Sequence, residues 1–89
     1  MPTLSIFYGI QIMMYFYDNG KHNMPHIHAE YQDDEAVFSI LEGVLIPGNF
    51  PRKQTRLVQA WIELYRESLM IDWKLAVTGQ ELHRIEPLR

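Results

Sequence analysis

The chain has no cysteine among its 89 residues, so it can form neither a disulfide nor a thiolate metal site. Stability must come from packing, within the chain or against a partner. Its longest apolar stretch, Ile10 to Tyr17, contains Gln11 and falls far short of the ~20 residues that span a membrane. The first basic residue is Lys21, so the charged start of a secretory signal is missing. A cytoplasmic protein with no membrane association is the expectation. There is no glycine-rich phosphate loop, no Gly-x-Ser-x-Gly and no zinc-finger spacing, which argues against classical hydrolases and nucleotide-cofactor enzymes.

What is present has ordinary globular composition, with 47% hydrophobic and 21% charged residues. The length fits one domain, 1–89, read as a sheet half (1–48), a helical half (49–79) and an extended tail (80–89). The net charge of −3 leaves nucleic-acid binding without the support of a broad basic surface. The charge is unevenly spread. Asp18–Glu42 holds six acids against Lys21 alone, whereas Asn49–Arg66 holds Arg52, Lys53, Arg56 and Arg66 against Glu63 alone. Two solvated faces explain this, and so does a polarised molecule that meets a partner through one pole.

From Ile6 the even positions Ile6, Tyr8, Ile10, Ile12, Met14 and Phe16 are all apolar, a period of two that reads as one half-buried strand reaching Tyr17. Its other face carries Phe7, Met13, Tyr15 and Tyr17. Asp18–Pro25 is rich in turn residues and reads as a loop. His26–Leu41 reads as a hairpin turning at Asp33-Asp34, so that Tyr31 faces Ala36, Ala29 faces Phe38 and Ile27 faces Ile40. On the opposite face Glu30 meets Val37, His28 meets Ser39 and His26 meets Leu41. Val44–Ile46 suits a short edge strand ended by Pro47-Gly48. Beyond Pro51, Leu57, Val58, Trp61, Ile62, Leu64, Tyr65 and Leu69 form a helical stripe that continues through Trp73, Ala76 and Val77 to a stop at Thr78-Gly79. An unbroken helix of that extent approaches ~40 Å, long for a domain this small, so a break is expected, with Ser68 as a second N-cap. The expected architecture is α+β: a small antiparallel sheet of three to four strands followed by two helices packed on one face, in two layers. The helices should cover Ile10, Ile12, Ile27, Ala29 and Phe38. Leu82, Ile85 and Leu88 should pin the tail.

The sharpest chemical feature is His22-Asn23-Met24-Pro25-His26-Ile27-His28-Ala29-Glu30. Strand alternation puts His26, His28 and Glu30 on one face, neighbours about 6–7 Å apart. Three readings stay open. The histidines are structural, bonding a loop or Ser39; they are an acid–base or binding pair; or they hold a divalent metal such as zinc, with Glu30 or His22 as third ligand. No cofactor is certain. Arg52, Lys53 and Arg56 crowd the first turns of the helix, against its dipole, which makes them either a solvated patch or an anion site. Trp61 and Trp73 fall on the apolar stripe and are expected in the core. Phe7, Met13, Tyr15 and Tyr17 on the outer sheet face, joined by Val37 and Leu41, suggest a binding surface and a homodimer.

Pro2-Thr3-Leu4, Phe7-Tyr8-Gly9-Ile10, Met14-Tyr15-Phe16, Pro25-His26-Ile27-His28-Ala29-Glu30-Tyr31, Leu57-Val58, Trp61, Trp73 and Ile85-Glu86-Pro87-Leu88 together resemble the bacterial domain-of-unknown-function 4160 family, in order and over nearly the whole chain. That family often shows Pro-Pro-His-Phe-His-Ala. Here Met24 replaces the first proline and Ile27 the phenylalanine, while both histidines are kept, and Lys21-His22 stands in the preceding loop. The resemblance brings no established activity. It implies a protein partner, because genes of the family often lie beside those of another small family, domain of unknown function 2442, in a toxin–antitoxin-like arrangement. The expectation is an uncharacterised interaction domain of such a module. The alternative is a small His-driven or metal-assisted phosphodiesterase or ribonuclease, and whether the chain is an enzyme stays open.

Overall fold

The first apolar run does not stay one strand. In the computed structural model, which describes residues 2–17 and 24–89, it folds back on itself as strands β1 (Thr3–Phe7) and β2 (Ile10–Met13), joined by Tyr8 and Gly9. Both turn residues have positive φ, +50° and +78°, the left-handed pair that closes a two-residue hairpin with the twist of its strands. Phe7 pairs with Ile10, so the two side chains share a face. The turn resets the alternation: Phe7 is buried on Trp61, with ring centroids 5.4 Å apart, and Ile6 is exposed instead.

Strands β3 (His26–Tyr31) and β4 (Asp34–Ser39) form the second hairpin, and β5 (Leu45–Gly48) adds the far edge. The sheet is an antiparallel meander in the order β1-β2-β3-β4-β5. Among the described residues five strands replace the expected three to four, because the long first strand is a hairpin. The second hairpin turns at Gln32-Asp33 rather than Asp33-Asp34, with Gln32 at φ +53°. The pairs are therefore Tyr31–Asp34, Glu30–Glu35, Ala29–Ala36, His28–Val37, Ile27–Phe38 and His26–Ser39. This is a slip of two residues from the expected register. An even slip changes partners and keeps faces, so Ile27, Ala29 and Phe38 still point inward.

The expected second helix is absent. One helix, α1 (Arg52–Val77), follows the sheet, and Ser68 lies inside it. Straight, its 26 residues would extend about 39 Å at 1.5 Å each, beyond the 33 Å longest dimension of the molecule. The helix kinks at Tyr65 (φ −119°, ψ 24°), whose backbone leaves the helical region without ending the helix. Pro51 precedes the first turn, and the far end closes through Gly79 N–H to Ala76 O (3.1 Å) and Gln80 N–H to Leu75 O (2.9 Å).

Val58, Trp61, Ile62, Leu69 and Ala76 of α1 are fully buried against Ile10, Ile12, Ile27, Ala29 and Phe38 of the sheet. Leu64, included in the stripe by sequence, is exposed. Residues 80–89 form no helix or strand, and Leu82, Ile85 and Leu88 pack on the same core. Three hydrogen bonds fasten the segment: Trp61 Nε1–H to Glu86 O (2.8 Å), Ile85 N–H to Leu4 O (2.8 Å) and His83 N–H to Asp72 Oδ1 (3.0 Å). Among the described residues no helix is long and apolar enough to cross a membrane.

Two substitutions check this packing. Phe38→Ala should destabilise by about 3–5 kcal/mol in chemical denaturation, because Phe38 is wholly buried between Ile27 and the Phe50 ring; a change below about 1 kcal/mol would place it outside the core. Gly79→Ala should also destabilise. Gly79 has φ +73°, and a Cβ there would overlap the Tyr17 hydroxyl. Tyr17→Phe combined with Gly79→Ala should recover part of the loss, since the added Cβ and that hydroxyl occupy the same space.

Candidate functional site

The histidine site is assembled at the end of the sheet where β3 begins. Alternation sends Ile27 into the core and places His26 and His28 on the other face. Their rings touch edge to face, with centroids 5.3 Å apart. Tyr15, just past β2, lies on His28 at 4.2 Å, and Trp73 of α1 lies on His26 at 5.0 Å. The four rings form a continuous row, Tyr15–His28–His26–Trp73.

The two imidazoles are not equivalent. His26 is only 2% exposed, and its Nδ1–H donates to the Met24 carbonyl at 2.8 Å. A carbonyl can only accept, which fixes the proton on Nδ1 and makes Nε2 the basic nitrogen of the neutral ring. His28 is half-buried beside Val37 and Met13, with Nδ1 3.9 Å from the exposed Glu35 carboxylate, a contact that becomes an ion pair when the ring is protonated. Expected to meet Leu41 and Ser39, the two histidines instead pair with Ser39 and Val37, and Leu41 lies in the turn after β4. Among the described residues no group of three or more His, Cys, Asp or Glu is placed to hold a metal. Glu30 is exposed and pairs with Glu35. His22 lies outside the described residues.

The remaining sequence candidates scatter. Phe7 and Met13 are buried rather than displayed, Tyr15 is half-buried in the ring row, and Tyr17 is exposed. This reduces the apolar outer patch that suggested a homodimer. Arg52, Lys53 and Arg56 are exposed at the start of α1. Trp73, which packs on His26, stands 17 to 21 positions further along, past the kink at Tyr65. The basic residues therefore stand at one end of α1 and the histidines at the other. Trp61 and Trp73 are buried, and Trp73 in addition walls the histidine site.

Sequence reading passed over Asp72. It is 1% exposed, with Oδ1 accepting the His83 N–H and Oδ2 buried without a hydrogen-bond partner among the described residues. It lines a cleft of about 360 Å³ between α1 and the C-terminal segment, together with Tyr65, Ser68, Ile71, His83 and Ile85. Burial pushes the Asp72 carboxyl above the usual carboxylate range; the His83 backbone bond and the nearby imidazole oppose the shift without cancelling it. The signal was available. Asp72 sits three residues after Leu69 and four before Ala76, which makes it a lone acid on an apolar stripe.

Set against known families, the chain matches the model of the family described as "Domain of unknown function (DUF4160)" over residues 9–74. Comparison with curated proteins and with solved structures gives no match.

Asp72 generates a pH prediction. A carboxyl with a raised folded-state pKa favours folding fully below its unfolded value, near ~3.9, and loses that contribution as pH rises through the folded value. Asp72→Asn should therefore be more stable than the parent at neutral pH, and the gap should close on acidification toward the unfolded value. Thermal melts across that range check it; a gap independent of pH would show that Asp72 does not titrate on unfolding.

The matched segment spans β2 to α1 and contains both histidines, Trp61 and Trp73. The chain belongs to the DUF4160 family, domain of unknown function, as its sequence suggested.

Proposed function

We propose that the protein is an interaction domain that holds a protein partner through the surface around His28, as one half of a toxin–antitoxin-like pair. The observation that carries this reading is the ring row itself. It fixes two imidazoles side by side, His26 closed in by Met24 and Trp73 and His28 half-buried, its side chain 14% exposed beside Glu35. Exposed Phe16, Tyr17 and Met24 flank it, giving the mixture of aromatic, methionine and polar groups that protein interfaces favour. The resemblance of the family to one half of a gene pair points to a neighbouring protein of the domain-of-unknown-function 2442 type as the partner. A heterologous partner is preferred to a homodimer because Phe7 and Met13 are inside.

The second reading, a phosphodiesterase or ribonuclease, draws on the same imidazole pair as acid and base. The bases assigned to phosphate contact stand at the far end of α1 from Trp73, which packs on His26, so they are not part of the imidazole pair's surroundings. This counts against the enzyme and leaves the binding role in front.

His28→Ala should lower the melting temperature, because the ring packs on Tyr15 and His26, and under conditions where the variant is still folded it should reduce co-purification with the neighbouring protein at least about tenfold, as loss of an interface anchor does. His26→Ala should also lower stability, by about 1–3 kcal/mol, through the emptied space beside Trp73 and the lost bond to Met24. Undiminished binding by His28→Ala, or co-expression that neither captures the neighbour nor alters growth, would overturn the proposal.

A further inference from the structure

The outward face of α1 takes no part in either reading above. The residues buried toward the sheet, among them Val58, Trp61, Ile62, Leu69 and Ala76, recur on both sides of the Tyr65 kink. The opposite face of the helix therefore also runs unbroken past the kink. Along it lie Lys53, Leu57, Ala60, Leu64, Glu67 and Ile71, spaced alternately by four and three residues, as in a seam that packs against a second helix. Leu57 is half-buried and the other five are exposed, Leu64 by 66%. The charges of this face are sorted. The first two turns of α1 carry Arg52, Lys53 and Arg56 and no acid; the next two carry Glu63 and Glu67, with Arg66 as their one base. Both blocks are unfavourable within a single copy. Bases at a helix N-terminus oppose its dipole, and Arg52–Arg56 and Glu63–Glu67 are like-charge pairs at i,i+4. Arg66 is taken up by Glu63 and by the Ile40 carbonyl. Arg52, Lys53, Arg56 and Glu67 form no ion pair among the described residues.

We propose that α1 docks antiparallel on α1 of a second copy of this chain, about a two-fold axis level with Ile62. In that register Leu64 stands opposite Ala60 of the second copy, Lys53 opposite its Ile71, and Arg56 beside its Glu67, and the symmetry makes each pairing twice. A large residue then meets a small one at the centre, as interdigitating helices require. The methylene stem of Lys53 covers Ile71 while its ammonium stays in water. The order of the charges selects this occupant. A basic block followed by an acidic block on one helix face complements the same face reversed, which is what a two-fold axis supplies, and both like-charge pairs gain opposite charges across it. Glu67 is ready to receive the incoming guanidinium: with Leu64 and Ser68 it lines a surface depression of about 470 Å³ whose other charges, Glu63 and Arg66, are already paired with each other. The contact is separate from the outer sheet patch that suggested a homodimer by sequence. It also leaves the His28 surface free, because His28 is on the sheet face turned away from α1, so a second copy and a heterologous partner do not compete.

The test is sedimentation equilibrium of the full chain from micromolar to millimolar concentration, at low and at high salt. The expected result is a monomer–dimer equilibrium that salt weakens. Arg56→Glu and Glu67→Arg should each weaken dimerisation at least about tenfold, since each sets like charges against one another twice. Both positions are exposed, and each reversal turns a like-charge i,i+4 pair into an opposite-charge pair, so neither variant should melt lower than the parent monomer. The variant carrying both reversals restores opposite charges across the axis and should recover the parent's dimer, a rescue that damage to the fold would not give. Leu64→Lys, at the centre of the seam, should leave a folded monomer. A parent chain that stays monomeric to millimolar concentration overturns the proposal. So does a dimer indifferent to both single reversals and to Leu64→Lys, which would be formed through another face, and so does a double variant no better associated than the single ones.

Discussion

The indole of Trp61 is where the separate parts of this molecule meet. It is wholly buried, it packs on Phe7 of β1 and on Tyr65 one turn along its own helix, and its Nε1–H donates to Glu86 O in the C-terminal segment. Sheet, helix and tail are thus fixed to one rigid side chain. A buried indole must satisfy its N–H, and here the only way it does so is to hold the tail in place. The tail then supplies the His83 N–H that Asp72 accepts. The cleft exists because Trp61 fixes one of its walls.

The other end of α1 is organised by ring contacts and backbone hydrogen bonds together. Trp73 closes the row of rings, and the backbone N–H of Tyr17 donates to Ala76 O at 2.9 Å, which draws the chain leaving β2 onto the helix terminus. Gly79 has no side chain because the Tyr17 ring occupies that space. The histidines are therefore presented by a junction of three elements, and their spacing is set by packing as much as by the strand that carries them.

The inward set Ile10, Ile12, Ile27, Ala29, Phe38, Val58, Trp61 and Ile62 was legible in the sequence because periodicities of two and of 3.6 survive errors of register. The slip from Asp33-Asp34 to Gln32-Asp33 was even, so it changed the partners of His26 and His28 and left their face intact. The Tyr8-Gly9 turn was not legible in the same way. Every second residue through it is apolar, and nothing but Gly9 interrupts the pattern. Reading through the turn inverted Phe7 and Ile6 and hid a strand. The length argument against a straight helix was sound, but it could not distinguish a second N-cap at Ser68 from a local distortion at Tyr65. Asp72 was passed over, although the spacing of Leu69 and Ala76 already turns it inward.

The β1 strand lies at the margin of the sheet, where backbone groups would otherwise invite the strand of another molecule. The Ile85 N–H bonded to Leu4 O occupies part of that margin with the protein's own chain. Shortening the polypeptide at its C-terminus therefore does more than loosen the core: it uncovers an adhesive border, and the truncated product should be lost to insoluble polymer faster than its reduced stability alone would dictate.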